Sequence, residues 1–169
     1  LKKLEEARLK AEEDKRIADE KMEAAAQETA PILENYKNKA TKQTSGLLVY
    51  NIVKGSGPKP RTGATVKLNY EGYFTDGKLF GTNVKSVDQK YGTYNLRKEQ
   101  QGGYGGMPMK IDPAAQMIPG FKEGVLDMSV GDKTFLYLPF HLGYGEKGAG
   151  PIKPNTDLVF IVEMLGVAK

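Results

Sequence analysis

Tyr73-Phe74-Thr75-Asp76-Gly77-Lys78-Leu79-Phe80 sets two apolar pairs on either side of Asp76-Gly77. Asp-Gly between apolar runs signals a tight β-hairpin, because the favoured two-residue turn needs positive φ and Gly adopts it without strain. Working outward, Val66, Leu68 and Tyr70 alternate with Lys67 and Asn69. Further upstream, Leu48, Tyr50 and Ile52 alternate with Val49, Asn51 and Val53. Downstream, Phe135 and Tyr137 alternate with Thr134, Leu136 and Leu138, and Leu158, Phe160, Val162 and Met164 mark a last strand. Period-two patterning of this kind predicts strands. One segment breaks it: Gly120 to Asp127 holds Phe121 and Val125 four apart, the spacing of a helix face. Gly131-Asp132 turns the chain into the strand that follows. Several antiparallel strands and one short helix give an α+β fold, an antiparallel half-barrel sheet wrapped on that helix.

Composition changes sharply near residue 45. All 20 Gly lie at Gly46 or beyond. The first 45 residues hold ten basic and ten acidic side chains, so the net charge of +4 belongs to the remainder. The expected division is a charged helical arm and linker over 1–45 and a globular domain over 46–169. Leu1 to about Gln27 is built from strong helix formers, with Glu6–Lys10 and Glu12–Arg16 at a favourable i,i+4 spacing. A heptad puts Leu1, Arg8, Lys15 and Met22 in one column and Leu4, Ala11, Ala18 and Ala25 in the other, a weak coiled-coil seam. Two readings stand: an arm that forms a homodimer, or a solvated helix propped by surface ion pairs. Thr29-Ala30-Pro31 predicts a fresh helix start, followed by a short helix to about Lys42 with Ile32, Leu33, Tyr36 and Ala40 on one face. Thr41 to Ser45 reads as linker.

Five motifs in order carry a resemblance. Asn69-Tyr70-Glu71-Gly72-Tyr73 with Asp76-Gly77-Lys78-Leu79-Phe80 resembles the opening hairpin of the FKBP family of peptidyl-prolyl cis-trans isomerases. Met117-Ile118-Pro119-Gly120-Phe121-Lys122-Glu123-Gly124 resembles its helix. Met128-Ser129-Val130-Gly131-Asp132-Lys133, Leu142-Gly143-Tyr144-Gly145 and Pro154-Asn155-Thr156-Asp157-Leu158-Val159-Phe160 resemble the turn, loop and closing strand that follow. The resemblance, to the bacterial type with a helical arm, implies a proline-binding pocket. In it Tyr70 lines a wall, Phe80 forms the rim and Phe121 forms the floor, where the family usually has Trp. Met117 and Ile118 meet the substrate backbone. The Ile118 N–H and the Tyr144 hydroxyl donate to substrate carbonyls, and Ile152 and Phe160 close the far side. The catalytic set is then Tyr70, Phe80, Ile118, Tyr144 and Phe160, and the substrate-binding set Met117, Phe121, Ile152 and Met109. The implied activity is foldase work on proline-containing peptides or unfolded chains, with macrolide-type inhibitors as further ligands and no cofactor.

Three departures stand out. Gly81 follows the rim Phe80 where the family usually has Asp, which points to reduced activity or to a non-catalytic peptide-binding or chaperone module. Met107-Pro108-Met109 replaces the family's second aromatic pair. Thr82 to Gly106 is an enlarged loop before the helix, read either as a partner-recognition loop or as a disordered insertion.

Other chemistries find no support. With no Cys there is no disulfide or thiolate, and one His, His141, cannot build a His-cluster metal site. Gly55-Ser56-Gly57 is not a nucleophile elbow. Gly145, Gly148 and Gly150 mark a pocket flap, with no helix after them to receive a phosphate. Dispersed Lys and Arg give no nucleic-acid face, and no stretch reaches the ~20 apolar residues of a membrane span. A start at Leu1 reads as a fragment or processed product, so a larger multidomain isomerase stays open as the parent. By analogy, an arm on such a domain resembles secreted bacterial foldases, which points to the periplasm or cell envelope over the cytoplasm.

Overall fold

The computed structural model describes residues 1–168. Its helices are α1 (Lys2–Lys39), α2 (Lys85–Tyr91), α3 (Leu96–Gln100) and α4 (Pro119–Leu126). Its strands are β1 (Thr41–Lys42), β2 (Leu48–Val53), β3 (Thr65–Phe74), β4 (Leu79–Thr82), β5 (Met107–Lys110), β6 (Lys133–Leu138) and β7 (Leu158–Val167). They form one seven-stranded sheet in the order β1-β2-β6-β7-β3-β4, with β5 also paired to β3. Every pairing is antiparallel. Since β7 occupies one edge of β3 along its length, β4 and β5 share the other edge, β4 at Glu71–Tyr73 and β5 at Thr65–Leu68.

The sheet wraps α4 as the sequence predicts. Pro119 opens the helix, where its missing N–H has no partner to lose. Phe121 and Val125 are buried with Leu68, Leu136, Leu158, Phe160 and Val162 in a first core. The opposite face of the sheet is also covered. Tyr73, Leu79, Phe135, Val159 and Ile161 pack in a second core with Tyr91 of α2 and with Ala25 and Leu33 of α1. Leu158 to Val162 of β7 are accordingly buried without a break.

The arm differs from expectation. One helix runs from Lys2 through Pro31 to Lys39, with no fresh start at Thr29. A proline inside a helix costs about 3 kcal/mol. Beyond it, Leu33 is 3% exposed, and the Tyr36 ring stacks on Tyr50 at 5.7 Å and meets Phe135 at a tilt of 57°, also at 5.7 Å. Burying a Leu side chain contributes about 1.5–3 kcal/mol and each aromatic pair about 0.5–1.5 kcal/mol, enough to offset the proline. Thr41 and Lys42 are not linker: they pair with Val49 and Leu48 as the edge strand β1. Residues 1–17 are exposed, and their ion pairs are Arg8–Glu5, Arg8–Glu12, Lys15–Asp19, Arg16–Glu13 and Arg16–Glu20. Glu6–Lys10 does not form, and neither does Glu12–Arg16, because Glu12 pairs with Arg8 and the Arg16 fork takes Glu13 and Glu20. Water and salt screen exposed pairs of this kind, so they add little to stability.

The Ala column has a different use from a coiled-coil seam. Ala25 packs in the second core and Ala18 lies against Gly92, while Ala26 and Ala30, outside the column, lie against Gly77. The hairpin turn meets the helix so closely that a Cβ on Gly77 would fall 2.5 Å from the Ala26 carbonyl oxygen. The Tyr91 hydroxyl closes this junction, donating to the Gly77 carbonyl at 2.9 Å and hydrogen-bonding Thr29 Oγ1 at 2.5 Å.

The segment 82–106 is ordered, which corrects both the disordered reading and the expectation of a single helix beyond the arm. Its hub is Asp88, 4% exposed. The carboxylate accepts from Thr93 Oγ1 at 2.6 Å, Tyr104 Oη at 2.7 Å and Lys98 Nζ at 3.0 Å. These partners are all local to the insertion, so a motif search over the rest of the chain gives no sign of them.

Gly77 and Gly63 share a left-handed backbone, φ +90° and +96°, but no atom lies within 4 Å of a Cβ built on Gly63. Gly63→Ala is expected to lower unfolding free energy by about 1 kcal/mol, the strain alone. Gly77→Ala is expected to lower it by at least about 2 kcal/mol more, because two backbone segments must part. Urea denaturation of both variants checks the difference; equal losses would mean that the arm does not press on the turn.

Candidate active site

A cavity of about 780 Å³ opens between β3, β4, β7, the start of α4 and the loop that carries Tyr144. Four rings build it in an edge-to-face series. Tyr70 stands 6.5 Å from Phe121 at 89°, Phe121 stands 5.1 Å from Phe160 at 78°, and Phe160 stands 5.5 Å from Phe80 at 87°. Such pairs are each worth about 0.5–1.5 kcal/mol beyond burial, so the wall is held by its own contacts. Phe121 and Phe160 are nearly fully buried and form the floor. Phe74 supports Phe80 from behind at 5.3 Å.

Of the residues expected at the site, Tyr70, Phe80, Met117, Ile118, Phe121, Tyr144 and Phe160 all line this cavity. Met109 and Ile152 do not. Met109 pairs with Val66 deeper along β5, and it is Met107, opposite Leu68, that reaches the cavity. Ile152 is 6% exposed and packs into the first core at the base of the Gly145–Gly150 loop. That loop is closed by an isolated bridge between Ala149 and Ile152. His141 lies elsewhere, with Nε2 2.9 Å from the Ser45 carbonyl oxygen, where it ties the end of the arm to the domain.

The hydrogen-bond donors at the cavity that have no partner among the described residues include the Ile118 N–H just before α4 and the hydroxyls of Tyr70 and Tyr144, the last on a residue 38% exposed. Burial pushes the Tyr70 phenol above its ordinary value, and the negative charge of Asp88 and the neighbouring Tyr144 add to the effect. Tyr70 therefore stays a neutral hydroxyl well into alkaline pH.

Asn83 holds this wall in place, and nothing in the motif reading pointed to it. It is 5% exposed. Its Oδ1 accepts the Tyr70 N–H at 2.8 Å, and its Nδ2 donates to the Leu68 carbonyl at 2.8 Å and the Gly105 carbonyl at 3.0 Å. Thr82 Oγ1 donates to the Tyr70 carbonyl at 2.5 Å. Asn83 thus bridges the gap on the β3 edge where β4 has ended and β5 has not begun. Ala114, Ala115, Gln116 and Lys122 also line the cavity without having been singled out.

The family profile described as FKBP-type peptidyl-prolyl cis-trans isomerase matches residues 57–165. The chain belongs to this FKBP family. An FKBP-type isomerase from Aeromonas hydrophila, FkpA, is 40% identical over 136 residues, 80% of this chain and 43% of that one. FK506-binding protein 1 of Aspergillus oryzae is 33% identical over 116 residues, 69% of this chain and 93% of that protein. The crystal structure of FkpA from Escherichia coli superposes with a TM-score of 0.59 at 30% identity, covering 96% of this chain and 70% of that one. The chain thus spans less than half the length of the Aeromonas relative. The FKBP half-barrel with a helical arm is shared with the Escherichia structure. Among the described residues no three His, Cys, Asp or Glu side chains are placed to hold a metal, and no helix is long and apolar enough to cross a membrane.

Asn83→Ala is expected to cost about 2–4 kcal/mol, since it leaves buried backbone groups of Leu68, Tyr70 and Gly105 unpaired. Hydrogen exchange read residue by residue should show the Tyr70 amide losing protection first. Unchanged protection there would show that Asn83 does not hold the wall.

Proposed function

We propose that the domain catalyses cis/trans rotation of X–Pro bonds in unfolded or partly folded chains, as its family does. The observation that carries the reading is a ring-lined cavity with the Ile118 N–H and the Tyr144 hydroxyl unpartnered at its edge. The conjugated amide sets a barrier of about 18–20 kcal/mol. Rotation breaks that conjugation, so the twisted state carries less charge separation than the planar one. An apolar site that excludes water disfavours the planar state more, and catalysis is differential binding without a nucleophile. Phe121 and Phe160 receive the proline ring, and Tyr70 and Phe80 flank it. The Ile118 N–H and the Tyr144 hydroxyl fix the carbonyls on either side. A thousandfold acceleration needs about 4 kcal/mol, within reach of those contacts.

Gly81 supports a second reading, a peptide-binding module with weak turnover. A Cβ built on Gly81 meets no atom within 4 Å, so the Asp that the family usually carries fits there without strain. FK506-binding protein 1 of Aspergillus, by its name, supports a macrolide-type ligand for the same cavity. The exposed Leu1, Leu4, Leu9 and Ile17 on the free half of α1 support a homodimer formed through the arm.

Proline-peptide exchange measured by NMR tests the isomerase reading. Tyr144→Phe should lower kcat/KM by about tenfold at unchanged melting temperature, a loss of about 1.4 kcal/mol, and Phe80→Ala should lower it at least as far while also lowering the melting temperature, since it removes the ring pairs to Phe74 and Phe160. Gly81→Asp should raise it. A folded chain that leaves the exchange rate at its uncatalysed value would establish the binding-module reading instead.

The same mechanism predicts a flat pH profile. No side chain lining the cavity ordinarily titrates between about pH 6 and pH 9, and the raised Tyr70 phenol stays protonated across that range. A bell-shaped kcat/KM profile would point to proton transfer and away from differential binding.

A further inference from the structure

Lys122 is the one charged side chain among the residues that line the cavity, and no carboxylate lines it. Lys122 follows the floor residue Phe121 on α4 and sits four residues beyond Ile118, so it rises from the same side of the helix as the Ile118 N–H. Its Nζ donates to the Pro113 carbonyl at 2.7 Å. An ammonium has three donors, so two remain for a ligand. No carboxylate comes within 4 Å of it among the described residues. The two acids nearest in sequence are engaged elsewhere. Glu123 accepts from Ser45 Oγ at 2.9 Å and Asp127 Oδ1 accepts from Lys59 Nζ at 3.3 Å, while Asp112 Oδ1, beside Pro113, accepts the Ala114 N–H at 2.9 Å. Gly81 across the cavity contributes no charge.

We propose that Lys122 makes this site selective for proline segments that carry an Asp or Glu beside the X–Pro pair. This rests on the isomerase or peptide-binding reading of the cavity. The ring floor takes the proline whatever its neighbours, so charge discrimination falls to the one ion beside it. A basic flanking residue meets a like charge with no carboxylate to relieve it, and an acidic one meets an unpaired ammonium over a partly dry surface. The selectivity is electrostatic, so it weakens as salt rises.

The test is a set of short proline peptides with Glu, Gln, Ala or Lys at each position flanking the X–Pro pair, measured by NMR exchange at low and high salt. At one flanking position or more, Glu should exceed Lys by about fivefold in kcat/KM, with Gln and Ala between, and the ratio should shrink in high salt. Lys122→Arg should keep the ratio, Lys122→Met should bring it close to one, and Lys122→Glu should invert it. A ratio near one in the unaltered chain, or a ratio that survives Lys122→Met, would overturn the proposal. Should a folded chain isomerise none of the peptides, the isomerase reading fails separately. The charge preference is then read from peptide binding by chemical-shift titration, where equal affinities for Glu and Lys peptides would overturn it.

Discussion

Strand β7 is buried on both faces, and the rest of the molecule is arranged around that constraint. Leu158, Phe160 and Val162 face α4, while Val159 and Ile161 face α1 and α2. An antiparallel sheet often leaves one face in water. Here a second apolar face demands a second layer, and the arm and the insertion supply it. Phe160 belongs to the floor of the cavity and to the same strand, so the layer behind the sheet also fixes the ring in front of it.

That second layer explains what was legible in the sequence and what was not. The Asp76-Gly77 hairpin, the Phe121/Val125 helix and the ring cluster are local or short-period signals, and the structure has them where they were expected. The unbroken run Leu158-Val159-Phe160-Ile161-Val162 was a visible sign of two-sided burial, but reading alternate positions alone hides it. Pro31 looked like a helix start because local propensity favours one there. Leu33 and Tyr36 override it through contacts that the chain makes only once folded. The Ala column looked like a poor coiled-coil seam. Of its members, Ala18 lets Gly92 approach and Ala25 packs in the second core, and helix periodicity cannot separate those uses from a seam.

The site was less completely legible than the fold. The rings of Tyr70, Phe80, Phe121 and Phe160 line one cavity, since the strand positions and the first turn of α4 turn them to the same side of the sheet. Met109 and Ile152 do not, because lining a cavity and supporting its lining differ by one residue pair along a strand. Asn83 and Lys122 escaped notice for opposite reasons. Asn83 acts through backbone groups that sequence does not reveal. Lys122 stands out once the rest of the cavity is seen to lack charge. The 82–106 insertion links these levels. Asn83 near its start holds the Tyr70 wall, and Tyr91 in its first helix holds the arm.

An uninterrupted α1 has a mechanical consequence. Its second half is clamped to the sheet, and its first 17 residues stand free in solvent. At 1.5 Å per residue that free part is a rod of about 25 Å. The helix is unbroken from that free part into the clamped half, so the rod projects along the axis that the clamped half sets. Whatever grips its tip is held at a set distance and bearing from the ring-lined cavity, as by a bracket and not by a tether.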